Sequence, residues 1–437
     1  MNPSEHPLPH ASSPLGRFHF YFPWVIAILI FLGIGMSGSV NHMESSAWWG
    51  LAFLGLWFGW PAWHQLRTLE KVLILGWIGI LTGACISFIN TDHVRSGHHD
   101  LEKFLRFAVA GPLYLTLRRY GWLMTRAVLA GSLMGVSLLL IFGVVQVFFQ
   151  GVDRAHGIVY PITYGDITIL FAMIIFVSGG CLYRKKKDLF WIALGIGGVI
   201  ASILSKTRNS LLVLPALILV LPFALGRRVS GRIHLVIYGG GLLLLLGAWL
   251  TVPTIRERMK GGVHNIKAWY QDKEGAIETS MGSRLTMWQR SIQLWKRHPV
   301  VGIGIGDYSL EMNTLLEKYP KEKAIVGRYG HAHSTYVHIL ATQGIIGFVL
   351  HVLILIGIPF LIGWKAIRVG KERSDLWPGV GTCTIVICWA VFGMGETWTA
   401  KNGLISLYLM TLVPFLAASG QMVENSPPRA KEAPVHA

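Results

Sequence analysis

An imidazole, a hydroxyl and two glycines at fixed intervals mark the stretch of this chain best equipped for chemistry. His333-Ser334 is followed by nine residues and then Gly344-Ile345-Ile346-Gly347. A histidine in the first turn of an apolar helix feels the positive end of the helix dipole, which favours the neutral imidazole. A neutral imidazole accepts the proton of an attacking hydroxyl. His331, His333 and His338 are the candidates; metal ligation, a boundary hydrogen bond and plain solvation compete as roles for any one taken alone. On an ideal helix His333 and His338 point about 140° apart, so one faces the reaction and the other packs or orients a lipid. Gly344 and Gly347 share a helical face and admit a neighbouring helix.

Cations complete the set. Ser205-Lys206-Thr207-Arg208-Asn209-Ser210 is a polar run between two apolar stretches. Arg208 is the first choice for a phosphate anchor, because a guanidinium makes two parallel charge-assisted hydrogen bonds and stays protonated at working pH. Snorkelling to the interface is its structural alternative. Arg284 is the second choice and Lys206 a third donor-side cation, with Asp166, Glu396 and His331 as auxiliaries. No HExxH, metal-spaced carboxylate cluster or G-x-S-x-G elbow occurs. Gly302-Ile303-Gly304-Ile305-Gly306 lacks the flanking strand and the lysine of a phosphate-binding loop and reads as a flexible turn. Neither a metal nor a cofactor nor a nucleic-acid partner is expected.

The elements that must position these groups are membrane helices. Of 437 residues, 52% are hydrophobic and 14% charged, with a mean hydropathy of +0.50, a composition that excludes a soluble enzyme. About a dozen runs approach the roughly 20 apolar residues a spanning helix needs. They lie near 22–38, 47–60, 71–90, 104–118, 122–149, 161–182, 188–205, 209–226, 233–252, 334–363, 377–394 and 403–419, the second and fourth being short. The first is read as a retained span, lacking a basic leader and a small-residue cleavage site. The expected fold is therefore an all-α polytopic integral membrane protein with about 12 spans. It divides into a bundle over 1–252, a large loop over 253–332, further spans over 333–420 and a disordered tail over 421–437. Cys85, Cys181, Cys383 and Cys388 fall in apolar runs and read as buried small hydrophobes.

Charge orients the bundle. One alternating set of connections carries fifteen Lys or Arg, from Arg67 and Lys71 to Lys371 and Arg373, and the other six: Arg95, Lys103, Arg154, Lys206, Arg208 and Lys401. The bias puts both termini in the cytoplasm, with Arg208, His333 and the loop 253–332 outside. That loop holds thirteen Lys or Arg against eight Asp or Glu, suited to an anionic ligand or to plain solvation. Within it Gly282-Ser283 resembles a cap, placing Arg284 in a first turn. Leu285, Trp288, Ile292 and Trp295 then form an apolar face opposite Gln289, Arg290, Gln293, Lys296 and Arg297, a helix lying along the membrane until His298-Pro299. A short helix is expected over Ser309 to Tyr319.

Many spans with one large late loop, Arg208 with Leu212 four residues on, and the H-S-x9-G-x-x-G pattern resemble the O-antigen ligase and polymerase superfamily. The Gly282-Ser283-Arg284 to Trp288 stretch and Pro299-Val300-Val301-Gly302-Ile303-Gly304 resemble that family's loop. The resemblance implies a metal-independent multispan (GT-C type) glycosyltransferase of the bacterial inner membrane with a periplasmic site. Its implied donor is a glycan on undecaprenyl pyrophosphate and its acceptor, in the ligase branch, a sugar hydroxyl of lipid A-core. By the same resemblance His333 matches the motif histidine and Arg208 and Arg284 the family's arginines, with His338 a second base candidate. The short Gln150 to Pro161 connection favours ligase over polymerase. A lipid-linked glycan transporter, the rival from another class, predicts paired repeats and a charged midplane pathway, and neither is visible.

Overall fold

The structure, a computed structural model, describes residues 14–58, 63–64, 66–182, 189–225 and 253–425. Helices follow one another throughout: α1 (Pro14–Gly35), α2 (Met43–Phe58), α3 (Thr68–Phe88), α4 (Val94–Ala108), α5 (Ala110–Leu117), α6 (Gly121–Val144), α7 (Pro161–Leu182), α8 (Leu189–Leu204), α9 (Arg208–Leu211) and α10 (Val213–Leu225). The late loop supplies α11 (Pro253–Gln271), α12 (Lys273–Ala276), α13 (Ser280–Arg297), α14 (Tyr308–Leu316) and α15 (Pro320–Val326). The chain then returns through α16 (Thr335–Val352), α17 (Ile358–Val369), α18 (Leu376–Gly395) and α19 (Asn402–Glu424). No strand occurs among the described residues.

Among the described residues six stretches are long and apolar enough to cross a bilayer: Thr68–Phe88, Gly121–Phe149, Pro161–Leu182, Thr335–Val369, Leu376–Gly395 and Asn402–Glu424. Backbone polar groups in lipid must be satisfied within the segment, which is why apolar runs of this length become helices. Shorter apolar helices run over Tyr21–Gly35, Ala193–Leu204 and Arg208–Leu219. The chain is thus a multi-pass membrane protein. The run at 233–252 and the tail beyond 425 lie outside the described residues, and the run at 104–118 is broken at Val109 between α4 and α5. α18 and α19 form the almost wholly buried centre, in contact because Gly381 has no side chain: a Cβ there would stand 2.1 Å from the Phe415 ring. Cys383 and Cys388 are buried as expected, whereas Cys85 is exposed on the bundle surface.

At one end of the bundle Arg118 Nε lies 2.7 Å from Glu70 Oε1 and its Nη2 lies 3.0 Å from Glu424 Oε2, tying α3, α5 and α19 together. The helices of the late loop cap the other end around their own core of Ile277, Met287, Leu294, Tyr308, Met312, Leu316 and Val326. Arg290 locks this cap: its Nε and Nη2 each donate to Glu322 at 2.7 Å, and its guanidinium lies 3.6 Å from the Tyr319 ring centre.

Two expectations about the cap need correction. α13 begins at Ser280, because Thr279 Oγ1 accepts the Gly282 N–H at 3.0 Å and is the true N-cap. Arg284 therefore sits past the first turn. The buried face of α13 is Ser283, Met287, Arg290 and Leu294, while Ile292 is exposed. The Glu322 partner makes an arginine buriable there, and pattern reading had assigned Arg290 to the solvent side.

The glycine-rich turn is pinned, not flexible. Gly344 has φ +65° and ψ −164°, breaking α16 into two half-helices. The groups freed by the break bond to residues 299–304: Ile345 N–H to the Pro299 carbonyl at 2.9 Å, Ile303 N–H to the Ala341 carbonyl at 3.0 Å and Gly304 N–H to the Thr342 carbonyl at 3.2 Å. A Cβ on Gly344 would lie 2.3 Å from the Val300 oxygen, so the chain that approaches Gly344 itself is this loop, while α3 packs along the same broken helix.

Candidate active site

The half-helix Thr335–Gln343 bridges two span ends. Thr335 donates from its backbone N–H (3.2 Å) and its hydroxyl (3.0 Å) to the Glu396 carbonyl, just past α18, and Ser87 near the end of α3 donates to the Thr342 carbonyl at 2.7 Å. Ser334 anchors the same junction through its hydroxyl to the Gly393 carbonyl at 3.2 Å. This brings the segment 331–334 beside the end of α18, with Arg284 of α13 within electrostatic reach of His333 and of Glu396, and Asp166 of α7 within reach of Arg284.

His331 and His333 stand edge to face with ring centres 4.5 Å apart, and His333 packs at 5.0 Å on Tyr329. His333 holds φ +48° and precedes the helix, so no first-turn dipole acts on it as a helical residue. Burial, the neighbouring His331 and the cations Arg284 and Lys401 depress its pKa to about 4, against a pull from Glu396, so the imidazole is neutral at physiological pH. Burial likewise lowers the pKa of His331. Nδ1 of His333 is buried without a hydrogen-bond partner among the described residues.

Glu396 is 1% exposed. Its Oε1 accepts the Thr397 N–H at 2.9 Å and its Oε2 lies 3.1 Å from Lys401 Nζ. Burial would raise the pKa of this carboxyl; Lys401, His331 and His333 outweigh it and hold it below the usual range. Asp166 is 3% exposed and neither carboxylate oxygen has a hydrogen-bond partner among the described residues. Arg284 lies within electrostatic reach of both acids and of Tyr329, yet makes no hydrogen bond or ion pair with any described residue. Burial lowers its pKa while the two carboxylates oppose that shift. A half-buried guanidinium with its donor fork unspent is an anion site in waiting.

The other expected residues are dispersed around this centre. Arg208 is exposed on the turn after α8, its guanidinium 3.1 Å from the place a Cβ on Gly262 of α11 would take. Its neighbour Asn209 donates to the Phe392 carbonyl at 3.1 Å, which keeps this turn at the Glu396 end of α18. Lys206 is ion-paired with Asp153. His338 stays within electrostatic reach of His331, and its ring is buried against Tyr308 at 4.8 Å, whose hydroxyl is 2.9 Å from Ser291. Much of the polarity of Ser205–Ser210 is structural, since Ser202 donates to the Gly165 carbonyl at 3.1 Å and Thr207 to the Pro161 carbonyl at 2.9 Å, stitching this turn to α7.

Sequence reasoning missed Lys401 as a site residue; its signal was a lone cation in a short polar connection five residues from Glu396. It missed Lys103 too, which reaches His331 and His338 electrostatically from α4. His331, His333 and Glu396 bring donor atoms within 4.8 Å of one another, a spacing that a metal ion could draw together. Lys401 already neutralises that carboxylate, and Arg284 and Lys103 add positive charge, so the surroundings favour an anion over a cation.

Comparison with known proteins bears on this segment. Residues 193–352, which carry Arg208, Arg284, His333, His338 and Gly344, match the family described as O-antigen ligase. The chain is 24% identical over 244 residues to the exopolysaccharide production protein ExoQ of Rhizobium meliloti, covering 53% of this chain and 52% of that protein. It is 23% identical over 216 residues to an uncharacterised protein of Haemophilus influenzae, covering 48% of this chain and 53% of that one. The chain thus spans about half the length of the curated relatives it matches. The similarity to the O-antigen ligase and polymerase superfamily rests on this matched segment and on the Rhizobium meliloti relative.

Proposed function

We propose that this protein is an O-antigen ligase: it transfers a glycan from undecaprenyl pyrophosphate to a sugar hydroxyl of lipid A-core at the periplasmic face of the bacterial inner membrane. The observation that carries the reading is the unpaired, half-buried Arg284 beside the neutral His333. The chemistry needs a cation for the departing diphosphate and a base for the incoming hydroxyl, and these two supply them.

In the proposed reaction the acceptor hydroxyl gives its proton to His333 as its oxygen attacks the anomeric carbon. The bond from that carbon to the diphosphate oxygen breaks, and Arg284 and Arg208 receive the charge. A single displacement inverts the anomeric centre. Charge neutralisation of the leaving group is the largest electrostatic contribution, and general-base help adds roughly 10² to 10⁴ in rate. His333 is a weak base in the free protein because of its burial and, after that, the neighbouring His331 and the cations Arg284 and Lys401. A bound diphosphate neutralises those cations and so lifts the part of the depression that they cause, which adds basicity when the donor arrives. An apolar groove of about 500 Å³ along α18, lined by Tyr336, Ile356, Phe360, Val386 and Met394, supports the reading by offering room for a lipid tail.

A second reading, extension of a lipid-linked glycan by a polymerase, is favoured by the similarity to the exopolysaccharide production protein of Rhizobium meliloti. One assay separates the two. Purified protein is incubated in a chelator with undecaprenyl-pyrophosphate glycan and truncated lipopolysaccharide, and products are weighed by mass spectrometry. Mass gain on the lipopolysaccharide supports ligase, lengthening of the donor glycan supports polymerase, and no product from either acceptor defeats both.

A further inference from the structure

We propose that Lys401 is a further cation of the diphosphate site, held in reserve by Glu396, which occupies an anion's place until the donor arrives; this rests on the transferase reading above. Positive charge prevails around the centre: Arg284 stands free of an ion pair among the described residues, Lys103 reaches His331 from α4, and the two histidines are depressed toward neutrality, but Lys401 is spent on Glu396. A diphosphate carrying several negative charges gains a further cation if Lys401 can leave its carboxylate for the incoming phosphate.

Lys401 is built for that exchange and Glu396 is not. The Glu396 carboxylate is 1% exposed, bonded through Oε1 to the Thr397 N–H at 2.9 Å, and its own carbonyl is fixed by Thr335. Lys401 is about a quarter exposed on a flexible stem. Besides the Glu396 oxygen at 3.1 Å, its partners among the described residues are a neutral hydroxyl, Thr163 Oγ1 at 3.4 Å, and the face of the Tyr160 ring at 5.5 Å. One strong partner and two weak ones hold an ammonium in place without trapping it. Thr163 lies one helical turn before Asp166 on α7, so the path from Glu396 toward Thr163 runs along the wall that carries the unpartnered carboxylate. Lys401 and Glu396 thus form a displaceable counter-ion pair, and binding swaps a carboxylate for a phosphate on the same ammonium.

The test measures binding of inorganic pyrophosphate to the full-length protein in detergent by calorimetry, together with KM and kcat for the lipid-linked donor. Lys401→Met should weaken pyrophosphate roughly tenfold or more, the loss of one hydrogen bond between charged groups, with the change in turnover appearing mainly in KM. Glu396→Gln removes the competitor and should tighten pyrophosphate by a few-fold, an order-of-magnitude expectation for releasing one partly buried pair. A structural salt bridge predicts that both variants weaken binding alike and lower the unfolding temperature together; that result, or wild-type affinity in both, overturns the proposal. Arg284→Met separates the two levels. If it abolishes binding while Lys401→Met leaves it unchanged, only the role of Lys401 fails; if it binds like wild type, the diphosphate reading itself fails.

Discussion

Two arginines on one helix should fail in opposite ways. Arg284 and Arg290 both lie on α13 and both are shielded from solvent, but Arg290 spends its donors on Glu322 at 2.7 Å twice over, while Arg284 has no partner among the described residues. Arg290→Met leaves Glu322 buried with only Lys273, at 2.8 Å, for company. Breaking a buried pair from one side costs about 3–5 kcal/mol, so this variant should unfold earlier in detergent and lose activity only as it loses folded protein. Arg284→Lys breaks nothing at rest and should melt with the wild type. It keeps the charge but gives up one of two charge-assisted bonds to the diphosphate, each worth about 1.5–3 kcal/mol. At about 1.4 kcal/mol per factor of ten, kcat/KM should fall roughly 10- to 150-fold. The assay is donor-to-acceptor transfer by the purified protein, normalised to the folded fraction. Wild-type kcat/KM in Arg284→Lys, or a melting loss equal to that of Arg290→Met, would refute the assignment of an unspent fork to the leaving group.

Four further outcomes follow from the same geometry. The acid limb of kcat/KM, which reports the free enzyme, should lie near pH 4, and that of kcat should lie higher because bound diphosphate raises the His333 pKa; His333→Gln should abolish the limb along with most of the rate, and a kcat limb at or below that of kcat/KM would count against His333 as base. The depressed pKa also means the unfolded chain binds protons first, so stability should fall as pH drops from 6.5 toward 4 in the wild type and less so in His333→Gln, read by thermal melts across that range. Gly344→Ala must accept φ +65° and a contact of 2.3 Å with the Val300 oxygen, and should destabilise by about 3 kcal/mol or more, with accelerated proteolysis of the cap as the readout. Arg208→Lys should lower transfer despite retained charge, with KM for the donor rising, and unchanged KM and kcat would remove Arg208 from the diphosphate site.

The spans, the late cap and several polar residues of the site were legible because apolar length and isolated charge are local signals. Asp166, Arg284, His331, His333 and Glu396 each stand out in their own stretch, and the fold brings them to one end of the bundle. What was illegible depends on partners distant in sequence. Arg290 reads as solvated until Glu322 is seen beside it. Lys401 reads as a loop charge until its ammonium is found on Glu396. Lys206 reads as a ligand cation until Asp153 takes it. The start of α13 was misread for a local reason: Gly282-Ser283 has cap-like residues, but Thr279 one turn earlier has the same chemistry and the free N–H groups to use it.

The interval between His333 and Gly344 acquires a physical meaning from the broken helix. A continuous helix would need no fixed spacing between a boundary histidine and a glycine, since any helical position could host the close contact. Here the nine residues Thr335–Gln343 form a half-helix, about 13 Å long at 1.5 Å per residue, with one end bonded to the Glu396 carbonyl and the other to Ser87. Adding or removing a residue would shift the bracket by about 1.5 Å and turn it by about 100°, pulling the Ala341 and Thr342 carbonyls off the loop that satisfies them. In apolar surroundings those carbonyls have no water to turn to. Gly302, Gly304 and Gly306 all hold positive φ because that loop must lie against the backbone of the half-helix and of residues 90–97. The two glycine-bearing motifs are therefore halves of one joint, and its rigidity fixes the imidazole of His333 relative to the cap that carries Arg284.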